Sequence, residues 1–145
     1  MKKPHDAKEF ADEILEKWDD ICSELGIVNF LVLGTCLGFY RDKGYIPWDD
    51  DIDVGVKCDG EAFSRLVHRL LEEGLTTEEE GSSFRYKHFY KNGILFDVWR
   101  SSGVDGWKLT SFEEITYNGR VYRVPHPVEQ YLELEYGNDW RVPDR

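Results

Sequence analysis

The sequence has few basic side chains for its size. Its 145 residues carry 18 Lys and Arg against 29 Asp and Glu, a formal net charge of −11 at pH 7. Proteins that bind nucleic acids or anionic lipid surfaces use basic patches to neutralise phosphates. The charge balance therefore disfavours both partner classes, and we expect no nucleic acid among the partners of this protein.

The sequence also lacks a long apolar run. The longest stretch without a charged residue, 25–40, spans 16 residues and includes Asn29 and three glycines. A membrane-spanning helix needs about 20 mostly apolar residues. The first residues alternate in charge and contain no apolar signal core. We therefore expect no membrane insertion and a cytoplasmic location.

Cysteine is scarce and odd in number. The three residues Cys22, Cys36 and Cys58 match no zinc-ligand or CxxC spacing. We interpret them as small buried apolar side chains in a reducing compartment. Apolar residues make up 41% of the chain and aromatic residues 14%, which is too much for a disordered chain and enough for one core.

Hydrophobic periodicity predicts a single α/β (α+β) domain over 1–145. Apolar residues recur at steps of three and four in the first 25 residues, with Asp6 and Glu9 as a cap and Gly26 as a stop. Helices are predicted over 6–25, 35–41, 61–72 and from Pro127 to Gly137, and strands over 27–33, 51–56, 83–90, 94–99 and 119–124, with a hairpin turn at Asn92–Gly93. This order gives an N-terminal helix (1–26), a core (27–100) and C-terminal strands with a helix (101–145).

Four carboxylates lie within five positions, at Asp49, Asp50, Asp51 and Asp53. If this segment enters a strand, the odd-numbered acids project to one side about 6.6–6.8 Å apart. Two carboxylates about 6 Å apart repel by roughly 2.8 kcal/mol at an effective dielectric of about 20. A hard divalent cation with oxygen ligands would relieve this repulsion. The alternative is a solvated acidic turn, which the apolar residues on both sides of the run disfavour.

A second pattern is a strand that runs into a glycine turn and then into a helix, at residues 31–38. Gly34 and Thr35 would present backbone N–H groups and a hydroxyl at a helix N-terminus, where phosphate is favoured. Such turns are also common as plain connections. The acids that follow 16 to 18 residues after Thr35 favour the phosphate interpretation, because a phosphate site and a metal site would then share neighbouring strands.

Together these residues resemble a known family. The pattern GTxLGxxRxxGxIPWDDDIDV from Gly34 to Val54 resembles the core motif of the LicD family of phosphotransferases, which includes fukutin and fukutin-related protein. The ending, with PxP at 125–127 and YLE followed by YGxxW between Tyr131 and Trp140, is similar to that family's ending. The resemblance implies a nucleotidyltransferase (polymerase β-like) fold, a mixed β-sheet flanked by helices.

The resemblance also implies roles for the acids. Asp51 and Asp53 match the family's metal-binding pair, Asp97 is the candidate third metal ligand, and Asp49 is a further acid of the site. Asp97 or Asp49 would accept the proton of the acceptor hydroxyl. Asp97 is the one charged residue of the apolar run 94–99, where an unpaired buried carboxylate would cost several kcal/mol. The alternative is that Asp97 faces solvent.

For the donor, the resemblance implies that Gly34 and Thr35 contact phosphates and that Arg41 reaches them, although Arg41 could equally form a surface ion pair. Trp99 is interpreted as a packing residue rather than a nucleobase platform. His88 is interpreted as a surface or strand residue rather than a catalyst.

The activity that the resemblance implies is Mg²⁺- or Mn²⁺-dependent transfer. Phosphocholine or a polyol phosphate would pass from a CDP-linked donor to an acceptor hydroxyl on a glycan or a small molecule. Two alternatives stay open: transfer of a nucleotidyl group from a nucleoside triphosphate to a small molecule, and a non-catalytic nucleotide-binding module. The chain is shorter than glycan-modifying members of the family, which leaves the acceptor open.

Overall fold

A computed structural model describes residues 1–78 and 85–143. The helices in these ranges are α1 (Lys8–Leu25), α2 (Leu33–Leu37), α3 (Gly60–Glu72) and α4 (Val128–Tyr136), and a π-helical turn (Gly38–Asp42) continues α2. The strands are β1 (Val28–Leu31), β2 (Asp51–Lys57), β3 (Tyr86–Lys91), β4 (Ile94–Trp99), β5 (Phe112–Tyr117) and β6 (Arg120–Pro125). This mixture of helices and strands confirms the predicted fold class.

Four strands form a mixed sheet in the order β1-β2-β4-β3. β2 and β4 run parallel at its centre, and β1 and β3 pair antiparallel at its edges. The predicted hairpin turn joins β3 to β4, with φ of 53° at Asn92 and 81° at Gly93, the left-handed pair that a tight two-residue turn requires. β5 and β6 form a separate hairpin.

The two faces of the sheet differ because side chains alternate along each strand. On one face Ile52 and Val54 of β2 and Phe96 of β4 are fully buried. Helix α1 packs there, with the Trp18 ring edge-on to Phe96 at 6.2 Å between centroids. The opposite face of the same strands carries the acids of β2 and β4, so the core on one face fixes the strands that display the charged side chains on the other.

The β5–β6 hairpin is tied to α1 by a buried carboxylate. Asp12 of α1 accepts hydrogen bonds from the hydroxyls of Tyr45 at 2.7 Å and Tyr117 at 2.8 Å. Phe39 stacks on Tyr117 with 4.1 Å between ring centroids. This cluster anchors the segment that leads into the aspartate motif.

Three local predictions differ from the structure. The predicted cap of α1 does not form: Ala7 is the N-cap and makes no side-chain cap bond, and the Asp6 carboxylate hydrogen-bonds with His5 Nδ1 at 3.3 Å instead. β1 ends at Leu31, and Leu33 starts α2 with a φ of 47°. Strand β5 was not predicted, because the consecutive charges Glu113 and Glu114 hide its alternation. The predicted strand 83–90 begins partly outside the described residues and is seen from Tyr86 onward.

Within 1–78 and 85–143, the structure contains no helix with the length and apolar character needed to cross a bilayer.

Candidate functional site

The predicted metal ligands converge. Asp53 of β2 and Asp97 of β4 are register partners in adjacent parallel strands, and Asp51 projects from the same face two residues earlier. One carboxylate oxygen from each of the three acids lies within 4.8 Å of the other two. Asp53 and Asp97 are buried, with 8% and 4% of their surface exposed. We call Asp51, Asp53 and Asp97 the carboxylate triad.

The triad has the chemistry of a hard-cation site. Burial of the Asp53 carboxyl, together with the neighbouring charge of Asp51, raises the pKa of Asp53 from 3.8 to about 8. The indole N–H that Trp99 donates to Asp53 Oδ1 at 3.1 Å acts in the opposite direction. Three converging carboxylate oxygens, with the ionisation of Asp53 opposed by burial and by like charge, fit a divalent ion such as Mg²⁺ or Mn²⁺, which would restore the ionised form of Asp53.

The glycine turn lies directly against these acids. The Thr35 hydroxyl oxygen accepts the backbone N–H of Asp53 at 2.9 Å, so this buried side chain fastens α2 to β2. At Gly34, an added Cβ would lie 2.3 Å from Asp49 Oδ2. A side chain at this position would therefore displace the Asp49 carboxylate. Contact of Gly34 and Thr35 with donor phosphates stays a prediction, and the structure places both residues beside the triad.

The four acids of the motif lie in different environments. Asp50 is exposed and pairs with Lys3 at 2.8 Å, away from the triad. Asp49 is half-buried against Gly34, and burial, followed by the charges of Asp51 and Asp50, raises its pKa to about 6. Asp49 is thus a fourth acid at the edge of the triad, and its role in the site stays a prediction.

Arg41 is held by other groups. Its guanidinium forms two hydrogen bonds with the Asp42 carboxylate, at 2.7 and 2.9 Å, and donates a third to the Trp140 carbonyl at 2.8 Å. It is close enough to Asp49 to lower the pKa of that acid against the effect of burial. The structure thus shows the ion pair that the sequence left open for Arg41. Its contact with donor phosphates stays a prediction.

The start of α2 is supported by the C-terminal helix. Leu33 has a positive φ of 47°, a conformation that side chains with a Cβ rarely adopt. Its N–H donates to the hydroxyl of Tyr131 in α4 at 3.1 Å, and that hydroxyl donates in turn to the Ser102 carbonyl. Sequence reasoning did not identify this role of Tyr131, because the two partners lie 98 residues apart.

The sequence interpretation also underestimated His88. Its Nδ1 hydrogen-bonds with Asp97 Oδ1, so it contacts the triad directly. A signal was available: a two-residue turn at Asn92–Gly93 fixes the register of the hairpin, and that register pairs His88 with Asp97 and Tyr86 with Trp99. Trp99, interpreted as a packing residue, does pack on Tyr86, and it also donates to the triad.

Comparisons with known proteins identify the family of this chain. Residues 26–136 match the family model described as LicD/FKTN/FKRP, nucleotidyltransferase domain. The ribitol-5-phosphate transferase FKTN of Mus musculus is 27% identical over 162 residues, which cover 92% of this chain and 33% of that protein. The lipopolysaccharide cholinephosphotransferase LicD of Haemophilus influenzae is 49% identical over 60 residues, 41% of this chain and 22% of that protein.

Among solved structures, the lincomycin-bound lincosamide antibiotic adenylyltransferase LnuA shares the fold. It superposes with a TM-score of 0.62 at 12% identity, covering 91% of this chain and 89% of the other. The present chain spans about a third of the length of FKTN. Because the family model matches 26–136, which holds β1 to α4 and all three triad acids, the chain belongs to the LicD/FKTN/FKRP nucleotidyltransferase-domain family.

Proposed function

We propose that this protein transfers a phospho-alcohol group, phosphocholine or a polyol phosphate, from a CDP-linked donor to an acceptor hydroxyl on a glycan or a small molecule. The observation that carries the proposal is the convergence of the three triad carboxylates within 4.8 Å, next to the turn at Gly34 and Thr35. Relatives named as ribitol-5-phosphate transferase and as cholinephosphotransferase support the class of group transferred.

In this proposal the acceptor oxygen attacks the phosphorus that carries the alcohol, and the bond from that phosphorus to the CMP oxygen breaks. Phosphoryl transfer depends mainly on alignment and charge neutralisation. Asp51, Asp53 and Asp97 would hold a divalent ion, Mg²⁺ or Mn²⁺, which supplies neutralisation of the phosphate charge when bound. Asp49, at the edge of the triad, or Asp97 would accept the proton of the attacking hydroxyl.

The same triad would also serve transfer of a nucleotidyl group from a nucleoside triphosphate. We keep this reaction as a second candidate because LnuA, whose fold this chain shares, is named as an adenylyltransferase. The two reactions break different phosphorus–oxygen bonds. The first releases CMP from a CDP-alcohol, whereas the second releases pyrophosphate.

Product analysis tests the proposal. The purified protein is first screened by thermal shift with Mg²⁺ and CDP-choline, CDP-ribitol, CTP, UTP or ATP, and each ligand that binds is then incubated with polyol and glycan acceptors. We expect CMP and a phospho-alcohol adduct of the acceptor, and neither product with Asp53→Asn. Pyrophosphate from a triphosphate would favour the second candidate. Nucleotide binding without any product would indicate a non-catalytic module.

A further inference from the structure

A chain of ring contacts joins two of the three triad carboxylates. Trp99 donates its indole N–H to Asp53 Oδ1 at 3.1 Å, and His88 Nδ1 hydrogen-bonds with Asp97 Oδ1. Tyr86 lies between these two residues. Its ring stacks on Trp99, with 4.7 Å between centroids and 29° between planes, and meets the His88 ring edge-on, at 4.7 Å and 74°.

The backbone makes this arrangement possible. β3 is an edge strand paired antiparallel with β4, and the register places Tyr86 opposite Trp99 and His88 opposite Asp97. Residues 86 and 88 therefore share a face of β3, and residues 97 and 99 share the matching face of β4. The edge strand thus places the Tyr86 ring next to Trp99, which contacts the triad, and the His88 ring next to Asp97, which belongs to it.

Such contacts can fix the orientation of a carboxylate. The terminal torsion of an aspartate is broad and close to two-fold, so a carboxylate held only by its own side chain samples many orientations. A hydrogen bond to one oxygen narrows that range. Groups that orient metal ligands in this way change metal affinity by about 10–100-fold when they are removed.

We propose that Tyr86 is a positioning residue of the metal site: by holding the rings of Trp99 and His88, it keeps Asp53 and Asp97 oriented to bind a divalent ion with Asp51. The proposal rests on the part of the proposed function that assigns a metal to the triad. It assigns a role to a residue that contacts both hydrogen-bonding rings and that the family motif does not include.

The test is the affinity of the metal-free protein for Mn²⁺, titrated by electron paramagnetic resonance without nucleotide. Tyr86→Leu removes the ring and should weaken Mn²⁺ binding by about tenfold. Tyr86→Phe keeps the ring and should bind within about twofold of wild type. Tyr90→Leu is the matched control, because it removes the same ring from the same strand at the position opposite Leu95, and its affinity should also stay within about twofold.

A double-variant cycle separates orientation from general loosening. Trp99→Phe keeps a ring beside Tyr86 and removes the N–H donated to Asp53, so it should weaken Mn²⁺ binding by itself. If Tyr86 acts through Trp99 and His88, Tyr86→Leu should add less to Trp99→Phe than it costs alone, since coupled positions are not additive. Full additivity would overturn the proposed route.

The outcomes distinguish this inference from the metal assignment. Wild-type protein that binds no Mn²⁺ would overturn the metal site and the inference with it. Mn²⁺ binding that is equal in wild type and Tyr86→Leu would overturn the inference alone and leave the metal site standing. If Tyr86→Leu does not fold, Trp99→Phe decides, and an unchanged affinity in that variant overturns the inference.

Discussion

Asp53→Asn should make the metal-free protein more stable at neutral pH, although it removes a proposed metal ligand. Burial and the charge of Asp51 raise the pKa of Asp53 in the folded protein from 3.8 to about 8. Below pH 4 the carboxyl is protonated in both the folded and the unfolded chain and contributes no pH dependence. Between pH 4 and pH 8 the folded chain keeps a proton that the unfolded chain has lost, so the free energy of unfolding falls as the pH rises.

The size of the effect follows from the pKa difference. One pH unit across this window corresponds to about 1.36 kcal/mol per proton, which gives roughly 4 kcal/mol between pH 4 and pH 7 as an upper value. Counter-ions and small movements of Asp51 would relieve part of it, so we expect a loss on the order of 2–4 kcal/mol in the wild type. Asn cannot ionise, and its carbonyl oxygen can still accept the Trp99 N–H.

The assay is urea unfolding followed by tryptophan fluorescence, with EDTA present, at pH 5, 6, 7 and 8. The unfolding free energy of Asp53→Asn minus that of wild type should grow with pH and level off near pH 8. With Mg²⁺ at a hundredfold its dissociation constant the difference should shrink by about 2.7 kcal/mol, because the wild type gains that much and the variant has lost a metal ligand. If the unfolding free energies of the two proteins changed with pH in parallel, the reasoning that burial and the charge of Asp51 raise the pKa of Asp53 would be refuted.

Three further predictions concern the site and its support. Asp97→Asn should keep donor binding within a few-fold and lower turnover by a factor of about 10² or more, equal to about 2.7 kcal/mol, and turnover within threefold of wild type would make Asp97 structural. Gly34→Ala should weaken donor affinity by about tenfold, or 1.4 kcal/mol, because its Cβ would lie 2.3 Å from Asp49 Oδ2. Calorimetric titration measures the affinity, and Gly60→Ala is the control because nothing lies within 4 Å of its Cβ. Asp12→Ala should lower the free energy of unfolding by about 1–3 kcal/mol, since it leaves two tyrosine hydroxyls without their acceptor, and a urea midpoint unchanged by the substitution would contradict that role.

The acids and their convergence were the most predictable part of the site. Alternation along β2 is local, so the sequence places Asp51 and Asp53 on one face without any tertiary information. The Asn92–Gly93 turn is also local and defines the register between β3 and β4. The pairing of β2 with β4 is not local, and the choice of Asp97 as the third ligand came from the family resemblance.

Other features depend on distant partners that no local pattern reveals. Leu33 adopts its positive φ next to a hydroxyl from a helix 98 residues away. Glu113 looks unsuited to a strand, yet its carboxylate accepts the backbone N–H of Val128 at 2.7 Å and so caps α4 from β5. Propensity and periodicity describe neighbours in sequence, and these side chains are positioned by neighbours in space.

Anomalous scattering tests most directly whether the carboxylate triad binds a divalent ion. Crystals of the protein are soaked with Mn²⁺ and with whichever donor nucleotide the thermal-shift screen identifies, and data are collected at the manganese edge. We predict an anomalous peak about 2.0–2.3 Å from carboxylate oxygens of Asp51, Asp53 and Asp97, with donor phosphates on the side of Gly34 and Thr35. A bound nucleotide with no anomalous peak at the triad, or a peak coordinated by other residues, would contradict the account.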